Sequence, residues 1–352
     1  MNKPKKILIA PLNWGLGHAT RCIPIINALL ENGFEPIIAS DGVAMELLKK
    51  EFPNLRHHVL PSYNIKYAEN GKNFKWKLFL QIPKMITAVV NEKKSVEKLV
   101  DELQIDGIIS DNRLGVHYKR VPCVFMTHQL NVLTGNTSYL TTKIHHYFIN
   151  KFNECWIPDY ATSPNLSGEL GHLKKPLKHL RYLGPLSRIH KKELPKKYDY
   201  FVLLSGPEPQ RTLLEDKLKK EFKNVGKPTL FVKGIVENEQ KTSQEGNVTF
   251  YNYMNSKELE IAFNESDLII CRSGYTTIMD LAFLGKKAFF IPTPGQYEQE
   301  YLAKKLKSEN IVPSCKQEKF KIEKLDKVSM YRGLQTFNNG TAVSWSQLFR
   351  LF

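Results

Sequence analysis

The chain has 352 residues, of which 42% are apolar and 24% charged, and its formal net charge at pH 7 is +16. This length can bury the cores of two domains, and the apolar content is that of a globular protein. No apolar run approaches the roughly 18–20 residues of a membrane-spanning helix, and the first strand is too short for a signal-peptide core. We therefore expect a cytoplasmic protein whose basic excess favours anionic partners.

The five cysteines are scattered along the chain and form no CxxC pair, so neither a disulfide framework nor a zinc site is predicted. Two pairs of adjacent histidines, at 57–58 and 145–146, lack the i, i+4 spacing that places two metal ligands on one helix face. We expect no metal and no other cofactor.

The first half of the chain alternates apolar runs with stretches of helical periodicity, which is typical of a parallel α/β sheet. Strands are predicted at 6–11, 35–40, 57–60, 107–110, 122–127 and 154–157. Helices are predicted at 20–32, 42–50, 83–103 and 140–153.

A second alternating series follows a charged, proline-broken segment. Its strands are predicted at 200–204, 228–233, 248–251, 268–271 and 288–291, and its helices at 211–222, 257–265, 276–284 and 298–309. We predict a Rossmann-like domain at 1–184, a linker at 185–198, a second Rossmann-like domain at 199–335 and a terminal helix at 336–352. The predicted fold is α/β, with two doubly wound parallel-sheet domains that face a cleft.

Residues 14–21, WGLGHATR, follow the first predicted strand and open a helix. A helix N-terminus suits an anionic substrate, and His18 places a group that titrates near pH ~6.5 where proton transfer can occur. The third position of the dinucleotide fingerprint is Thr20 instead of glycine, which weakens a nicotinamide interpretation. An ordinary turn with a surface histidine is the alternative.

Three loops in the second half also follow predicted strands. Residues 271–277, CRSGYTT, place small residues before a helix, where backbone N–H groups can bind phosphate. Asp280 can accept hydrogen bonds from two ribose hydroxyls, although an acid that complements the helix dipole is the alternative. The turn 292–300, PTPGQYEQE, suits a polyhydroxylated ligand. In the loop 204–211, LSGPEPQR, prolines remove N–H donors that Arg211 can replace.

With these motifs, above all CRSGYTTIMDLAFLG and FFIPTPGQYEQEYLA, essentially the whole chain resembles the GT-B glycosyltransferases of family 28. That family includes the N-acetylglucosaminyltransferase of the peptidoglycan lipid intermediate. The resemblance implies that 274–279 line the diphosphate of a UDP-sugar, that Asp280 holds its ribose, and that Gln299 and Glu300 contact its sugar. We expect His18 as the catalytic base, and the expected donor-binding residues are Gly15, Gly17, Asn131, Arg188, Ser205, Gly206, Tyr251, Arg272, Ser273, Gly274, Tyr275, Thr276, Thr277, Asp280, Gln299 and Glu300.

The chain also departs from the family pattern. Its opening loop has fewer glycines, Gln299-Glu300 stands where the family pairs two glutamines, and the family's His-Glu-Gln-Asn stretch is His-Gln-Leu-Asn at 128–131. The donor sugar and the acceptor are therefore expected to differ. The motif GLGHATRC is also similar to a nucleotide-sugar hydrolase of the same fold, in which the matching histidine activates water.

The predicted function is transfer of a sugar from a UDP-sugar to an acceptor hydroxyl, with inversion and, since the chain has no Asp-x-Asp motif, without a metal. The expected acceptor is a glycan or a lipid-linked molecule. The basic aromatic stretch 73–80, NFKWKLFL, predicts contact with an anionic membrane at its cytoplasmic face; a solvated lysine face is the alternative. A nucleotide-sugar hydrolase and a non-enzymatic basic binding protein compete with this function, and no nucleic-acid motif is present.

Overall fold

The computed structural model describes residues 3–63, 74–133, 138–235, 237, 239–337 and 343–352, without the side chains of 74–85. The chain divides into two compact units. The first holds Met1–Ala161, Glu169–Gly184 and Thr341–Phe352, and the second holds Thr162–Gly168 and Pro185–Gly340. Residues 185–198, predicted as a separate linker, thus belong to the second unit, and the end of the chain belongs to the first.

The first unit is built on a parallel sheet whose seven strands all lie in the described residues. The strands are β1 Lys6–Pro11, β2 Glu35–Ser40, β3 Arg56–Val59, β4 Gly107–Asp111, β5 Cys123–Met126, β6 Glu154–Ile157 and β7 Leu180–Tyr182. Its helices are α1 Gly17–Glu31, α2 Gly42–Glu51, α3 Phe74–Leu103 and α4 Ser138–Ile149. The helix predicted from residue 83 begins at Phe74, because a helix can accommodate an interior proline at the loss of one hydrogen bond.

The second unit contains a sheet of six described strands. They are β8 Tyr198–Leu203, β9 Thr229–Val232, β10 Thr242–Glu245, β11 Val248–Tyr251, β12 Ser266–Cys271 and β13 Lys287–Phe290. Its helices are α5 Gln210–Phe222, α6 Ser256–Asn264, α7 Tyr275–Leu284 and α8 Tyr297–Ser308. Among the described strands, only β10 pairs antiparallel. Its four residues are polar and exposed, so no apolar pattern in the sequence predicts this strand.

The two sheets share one topology. The first runs β3-β2-β1-β4-β5-β6-β7, and the parallel part of the second runs β11-β9-β8-β12-β13. In both, the strand order reverses next to the first strand, between β1 and β4 and between β8 and β12. Ligands of open α/β sheets bind at such switch points, at the carboxyl ends of the strands. The prediction of two doubly wound α/β domains is confirmed.

The end of the described chain completes the core of the first unit. A short helix, α9 Trp345–Leu348, is followed by Phe349, whose ring lies 5.5 Å from that of Phe34 and 6.4 Å from that of Trp156. The Phe352 ring lies against Gly107, where a β-carbon would come within 2.3 Å of it. Among the described helices, none is both long and apolar enough to cross a membrane.

Candidate functional site

His18 stands at the switch point of the first unit. The loop after β1 turns at Gly15, whose φ of +72° favours glycine, and α1 begins at Gly17. The side chain of His18 is 12% exposed, and its Nδ1 lies 3.0 Å from Oδ1 of Asp111, the last residue of β4. The neighbouring strand thus supplies a buried carboxylate to the predicted base.

Arg21 and His128 extend this pair into a cluster. Arg21 lies one turn after His18 on α1; its Nε donates to Asp111 Oδ2 at 2.6 Å, and its Nη2 donates to Oδ1. Its Nη1 lies 2.9 Å from Nδ1 of His128, which follows β5. Because a guanidinium can only donate, His128 accepts with Nδ1 and carries its proton on Nε2. Arg21, Asp111 and His128 are all buried.

The electrostatics of the cluster suit a neutral histidine beside an ionised carboxylate. Burial lowers the pKa of the His18 imidazole, Asp111 opposes that shift and Arg21 adds to it. Burial works against ionisation of Asp111, but Arg21 and His18 outweigh it and lower the pKa of the carboxyl to about 2. In the tautomer that carries its proton on Nδ1 and directs it at Asp111, His18 has its lone pair on Nε2, which is the arrangement of a general base.

In the second unit, the loops after β8, β12 and β13 lie at adjacent positions of the sheet. Gly206 follows β8 with a φ of +108°, and a β-carbon there would lie 3.6 Å from Thr293 Oγ1, which follows β13. Gly274 is the N-cap of α7, and a β-carbon there would meet no heavy atom within 4 Å. The positive end of the α7 dipole therefore has open space beside it.

Asp280 lies on α7 with its side chain buried. Ser187 Oγ donates to Asp280 Oδ1 at 2.7 Å, and Arg188 Nη1 donates to Ser256 Oγ at 2.8 Å. Burial raises the pKa of the Asp280 carboxyl to about 6, while Arg188 and the Ser187 hydroxyl oppose that shift. The positive charge of Arg188, which was assigned to phosphate, thus acts on the carboxyl group of Asp280, which was assigned to ribose.

Comparisons with known proteins agree on the class of this molecule. Residues 210–331 match the model of the Glycosyltransferase family 28 C-terminal domain. An uncharacterized glycosyltransferase of Methanosarcina acetivorans is 24% identical over 320 residues, which cover 84% of this chain and 79% of the relative. A crystal structure of MurG from Acinetobacter baumannii aligns with a TM-score of 0.58 at 16% identity, covering 98% of each chain. These matches identify the chain as a glycosyltransferase with the GT-B fold, in which residues 210–331 are similar to the C-terminal domain of family 28.

A named enzyme is among the relatives of this glycosyltransferase. The UDP-N-acetylglucosamine--N-acetylmuramyl-(pentapeptide) pyrophosphoryl-undecaprenol N-acetylglucosamine transferase of Haemophilus ducreyi is 24% identical over 311 residues. The match covers 85% of this chain and 81% of that enzyme.

The side chain of Arg272, which was predicted to contact phosphate, is buried inside the glycosyltransferase. Its side chain is 1% exposed, and it donates to the backbone carbonyls of Ile291 and Pro292, both at 3.1 Å, and of Gln210 at 2.8 Å. Burial lowers the pKa of the guanidinium to about 10. Arg272 therefore ties the loops after β12 and β13 to the start of α5.

Most of the other predicted donor residues of the second unit lie in the loops after β8, β12 and β13 or in the first turns of α7 and α8. Gln299 Oε1 accepts from the Thr293 N–H at 2.9 Å, and Glu300 Oε1 accepts from the Gly295 N–H at 3.0 Å. Ser273 Oγ donates to the Gln299 carbonyl at 2.8 Å. Further members are Ser205, exposed beside Gly206, and Tyr275, Thr276 and Thr277 in the first turn of α7.

Two further predicted donor residues, Tyr251 and Asn131, have hydrogen bonds within the protein. The Tyr251 carbonyl, at the end of β11, accepts from the Lys233 N–H at 2.9 Å. Asn131 belongs to the first unit, where its side chain donates to the backbone carbonyls of Glu169 and His172. In the described ranges, no group of three or more His, Cys, Asp or Glu side chains could hold a metal ion.

Asp111 and Arg21 were not among the predicted site residues. A signal for each is present in the sequence: Asp111 directly follows an apolar run, and Arg21 lies three residues after His18, on the same helix face. Asp41, the acidic residue that directly follows β2, forms an ion pair within the protein. Asp41 Oδ1 accepts from Arg113 Nη1 at 2.6 Å, so it is held by a buried arginine in the position where dinucleotide-binding folds bind ribose.

Proposed function

We propose that this glycosyltransferase transfers a sugar from a UDP-sugar to an acceptor hydroxyl, with inversion at the anomeric carbon and without a metal ion. The observation that carries the proposal is the buried pair of His18 and Asp111 at the switch point of the first unit. His18 Nε2 removes the acceptor proton as the new C–O bond forms. The bond from the anomeric carbon to the diphosphate breaks, and its electron pair leaves with UDP. Such base assistance contributes about 10²–10⁴-fold.

The donor is assigned to the second unit. The α7 N-terminus and Arg188 supply positive charge for a diphosphate, and Asp280 supplies a carboxylate for two ribose hydroxyls. The name of the Haemophilus ducreyi relative, which includes UDP-N-acetylglucosamine, supports uracil as the base. We assign Gln299 and Glu300 to the sugar, a hexose or N-acetylhexosamine, and assign Arg272 to positioning the loops.

Nucleotide binding tests the donor assignment. UDP should raise the melting temperature, because a ligand at 100 times its Kd stabilises the folded state by about 2.7 kcal/mol. The Asp280→Asn variant should lose most of that shift. Asp267→Asn is a matched control, since Asp267 lies in the same unit with its side chain half exposed and paired to Lys196. A panel of nucleoside diphosphates and their sugars in which none shifts the melting temperature would contradict the assignment.

A hydrolase is the competing function, since the same His18 can deprotonate water. A transferase releases UDP only when an acceptor is present, whereas a hydrolase releases it at the same rate without one. Measuring UDP release with and without an added polyprenyl-linked glycan separates the two functions.

A lipid-linked acceptor at the cytoplasmic membrane face is the finer part of the proposal. The side chains of 74–80 lie outside the described residues, so the evidence comes from α4. Tyr139 and Tyr147 are 73% and 63% exposed, and the ammonium groups of Lys143 and Lys151 lie 4.6 Å and 4.5 Å from the centres of their rings. Leu140 and Ile144 are exposed as well. Apolar and aromatic side chains between lysines suit an anionic lipid interface.

Vesicle flotation tests this surface. The protein should float with vesicles that contain phosphatidylglycerol and stay in solution with pure phosphatidylcholine. A Tyr139→Ser, Tyr147→Ser double variant should float less, whereas Lys98→Ser, at an exposed lysine of α3, should float normally. No binding to anionic vesicles would contradict the membrane assignment and leave the donor assignment intact.

A further inference from the structure

His18 and Asp111 of the first unit both contact Arg21, whose guanidinium keeps its positive charge at every accessible pH. Arg21 approaches Asp111 with two nitrogens and lies 2.8 Å from His18 Nδ1 through Nη2. Nδ1 of His18 therefore faces an obligate donor, the guanidinium, and an acceptor, the carboxylate, at similar distances. The arginine is 2% exposed and cannot exchange these partners for water.

A carboxylate alone beside a histidine has a drawback for a base. It favours the imidazolium form, so the histidine is already protonated at neutral pH and cannot accept the acceptor proton. A guanidinium bound to the same carboxylate cancels much of that attraction, because it stays charged at every accessible pH. Its planar fork also fixes the rotamer of the carboxylate, which a flexible ammonium group does less well.

We infer that Arg21 is a positioning residue for the proton transfer: it holds the Asp111 carboxylate against His18 and balances its charge, so that His18 meets the acceptor uncharged. The inference rests on the proposed function in one respect, that His18 is the base. Asp111 still aligns the ring through Nδ1, and it stabilises the imidazolium that forms once the proton has been transferred.

The other groups that face His18 fit this assignment. Asp111 comes from β4, Arg21 and Cys22 come from α1, and His128 comes from the loop after β5. Burial and Asp111 raise the pKa of the Cys22 thiol, whose Sγ lies 3.7 Å from Asp111 Oδ2, so it adds no charge. His128 accepts from Nη1 and thereby fixes the guanidinium on the side away from Asp111. Arg21 is the permanent cation of this cluster.

The test is a titration of His18 in the full-length protein, followed by ¹⁵N NMR of labelled histidine, with the signal assigned by its loss in His18→Ala. Arg21→Gln should raise the titration midpoint of His18 by about one pH unit, a tenfold gain in proton affinity. The acidic limb of the kcat/KM profile should move up by the same amount. Arg21→Lys keeps the charge, so its midpoint should stay near that of the wild type while kcat falls because the fork is lost.

Arg120→Gln is the control, because Arg120 is an exposed arginine of the same unit paired to Asp101, and it should change neither readout. An unchanged midpoint in Arg21→Gln, with activity lost equally at every pH, would show a structural role and overturn the inference. If Arg21→Gln does not fold, Arg21→Lys decides: a midpoint displaced as far as expected for charge loss would overturn it. The NMR titration needs no turnover, so full activity in His18→Ala would refute the proposed base without affecting this measurement.

Discussion

The two units place different groups at the same point of the same topology. In the first, the switch point beside β1 is filled by charged side chains that pair with one another: His18, Arg21 and Asp111. In the second, the switch point beside β8 is lined by Ser205, Gly206, Ser273 and Gly274, with a helix N-terminus behind them. The same order of strands therefore supports a buried cluster of paired charges in one unit and an uncharged loop at a helix N-terminus in the other.

The two switch points differ in where their polar groups find partners. In the first unit, Asp111 takes hydrogen bonds from Arg21 and His18, so its charge is matched within the protein. In the second unit, Arg272 donates only to backbone carbonyls among the described residues, and Thr293 Oγ1 and Gln296 Oε1 are buried without a partner there. Buried polar atoms without partners are costly, and a polar ligand would relieve that cost.

The largest expected effect separates chemistry from binding. His18→Ala should lower kcat by about 10²–10⁴-fold, because it removes general-base assistance, while the Kd for UDP stays within about twofold. His58→Ala, on the edge strand β3 of the same sheet, should leave both constants unchanged. Steady-state kinetics and calorimetry check this pair, and a loss of UDP affinity as large as the loss of kcat would assign His18 to the donor instead.

A backbone change should affect only the anion site. Gly206→Ala forces an L side chain into a φ of +108°, a strain on the order of 1–3 kcal/mol, and the relaxed loop should bind UDP about tenfold more weakly. Gly246→Ala, at a φ of +58° in the turn between β10 and β11, should lower stability without lowering UDP affinity. Equal affinities in the two variants would show that the loop after β8 does not contact the nucleotide.

The pH dependence of UDP binding should report Asp280. An ionised carboxylate accepts from both ribose hydroxyls, so affinity should rise several-fold as pH increases through about 6, where Asp280 ionises, and then level off. Because a terminal phosphate also titrates near pH ~6, the comparison is with Asp280→Asn, which keeps only the phosphate contribution. Superimposable pH curves for the two proteins would remove Asp280 from the ribose role.

The smallest effect concerns the free protein. Thr293→Val removes a buried hydroxyl without a described partner and should change the free energy of unfolding by less than about 1 kcal/mol, or raise it slightly. Ser273→Ala should lower it by about 1 kcal/mol, because the Ser273 hydroxyl donates to the Gln299 carbonyl. Urea unfolding without nucleotide measures both, and a large loss in Thr293→Val would mean that its hydroxyl is satisfied within the protein.

Elements with a strong local signal could be predicted from the sequence. The bounds of β1 and β2 match the prediction, since both are apolar runs that become fully buried in a parallel sheet. β7 and β10 were missed because they have three and four residues and little apolar character. The first unit also takes up the end of the chain, which no local pattern indicates.

The candidate site was only partly predictable for a similar reason. His18 could be selected because the strand, the glycines and the helix start are contiguous in sequence. Its partner Asp111 lies 93 residues further along the chain, and only the strand order brings β4 beside β1. Arg272 was predicted to face phosphate from its position in a glycine-containing loop, but a side chain's direction depends on packing that the motif does not encode.

The return of residues 343–352 to the first unit has a consequence for how this protein is made. On the ribosome, the whole second unit is synthesised before Phe349 and Phe352 emerge. Until then, Phe34, Trp156 and Gly107 lack their contacts with these two rings, whereas the second unit can already fold. The first unit therefore cannot complete this aromatic cluster until the second unit has been synthesised. A fragment that stops at Gly184 would leave this aromatic cluster open to water and prone to aggregation.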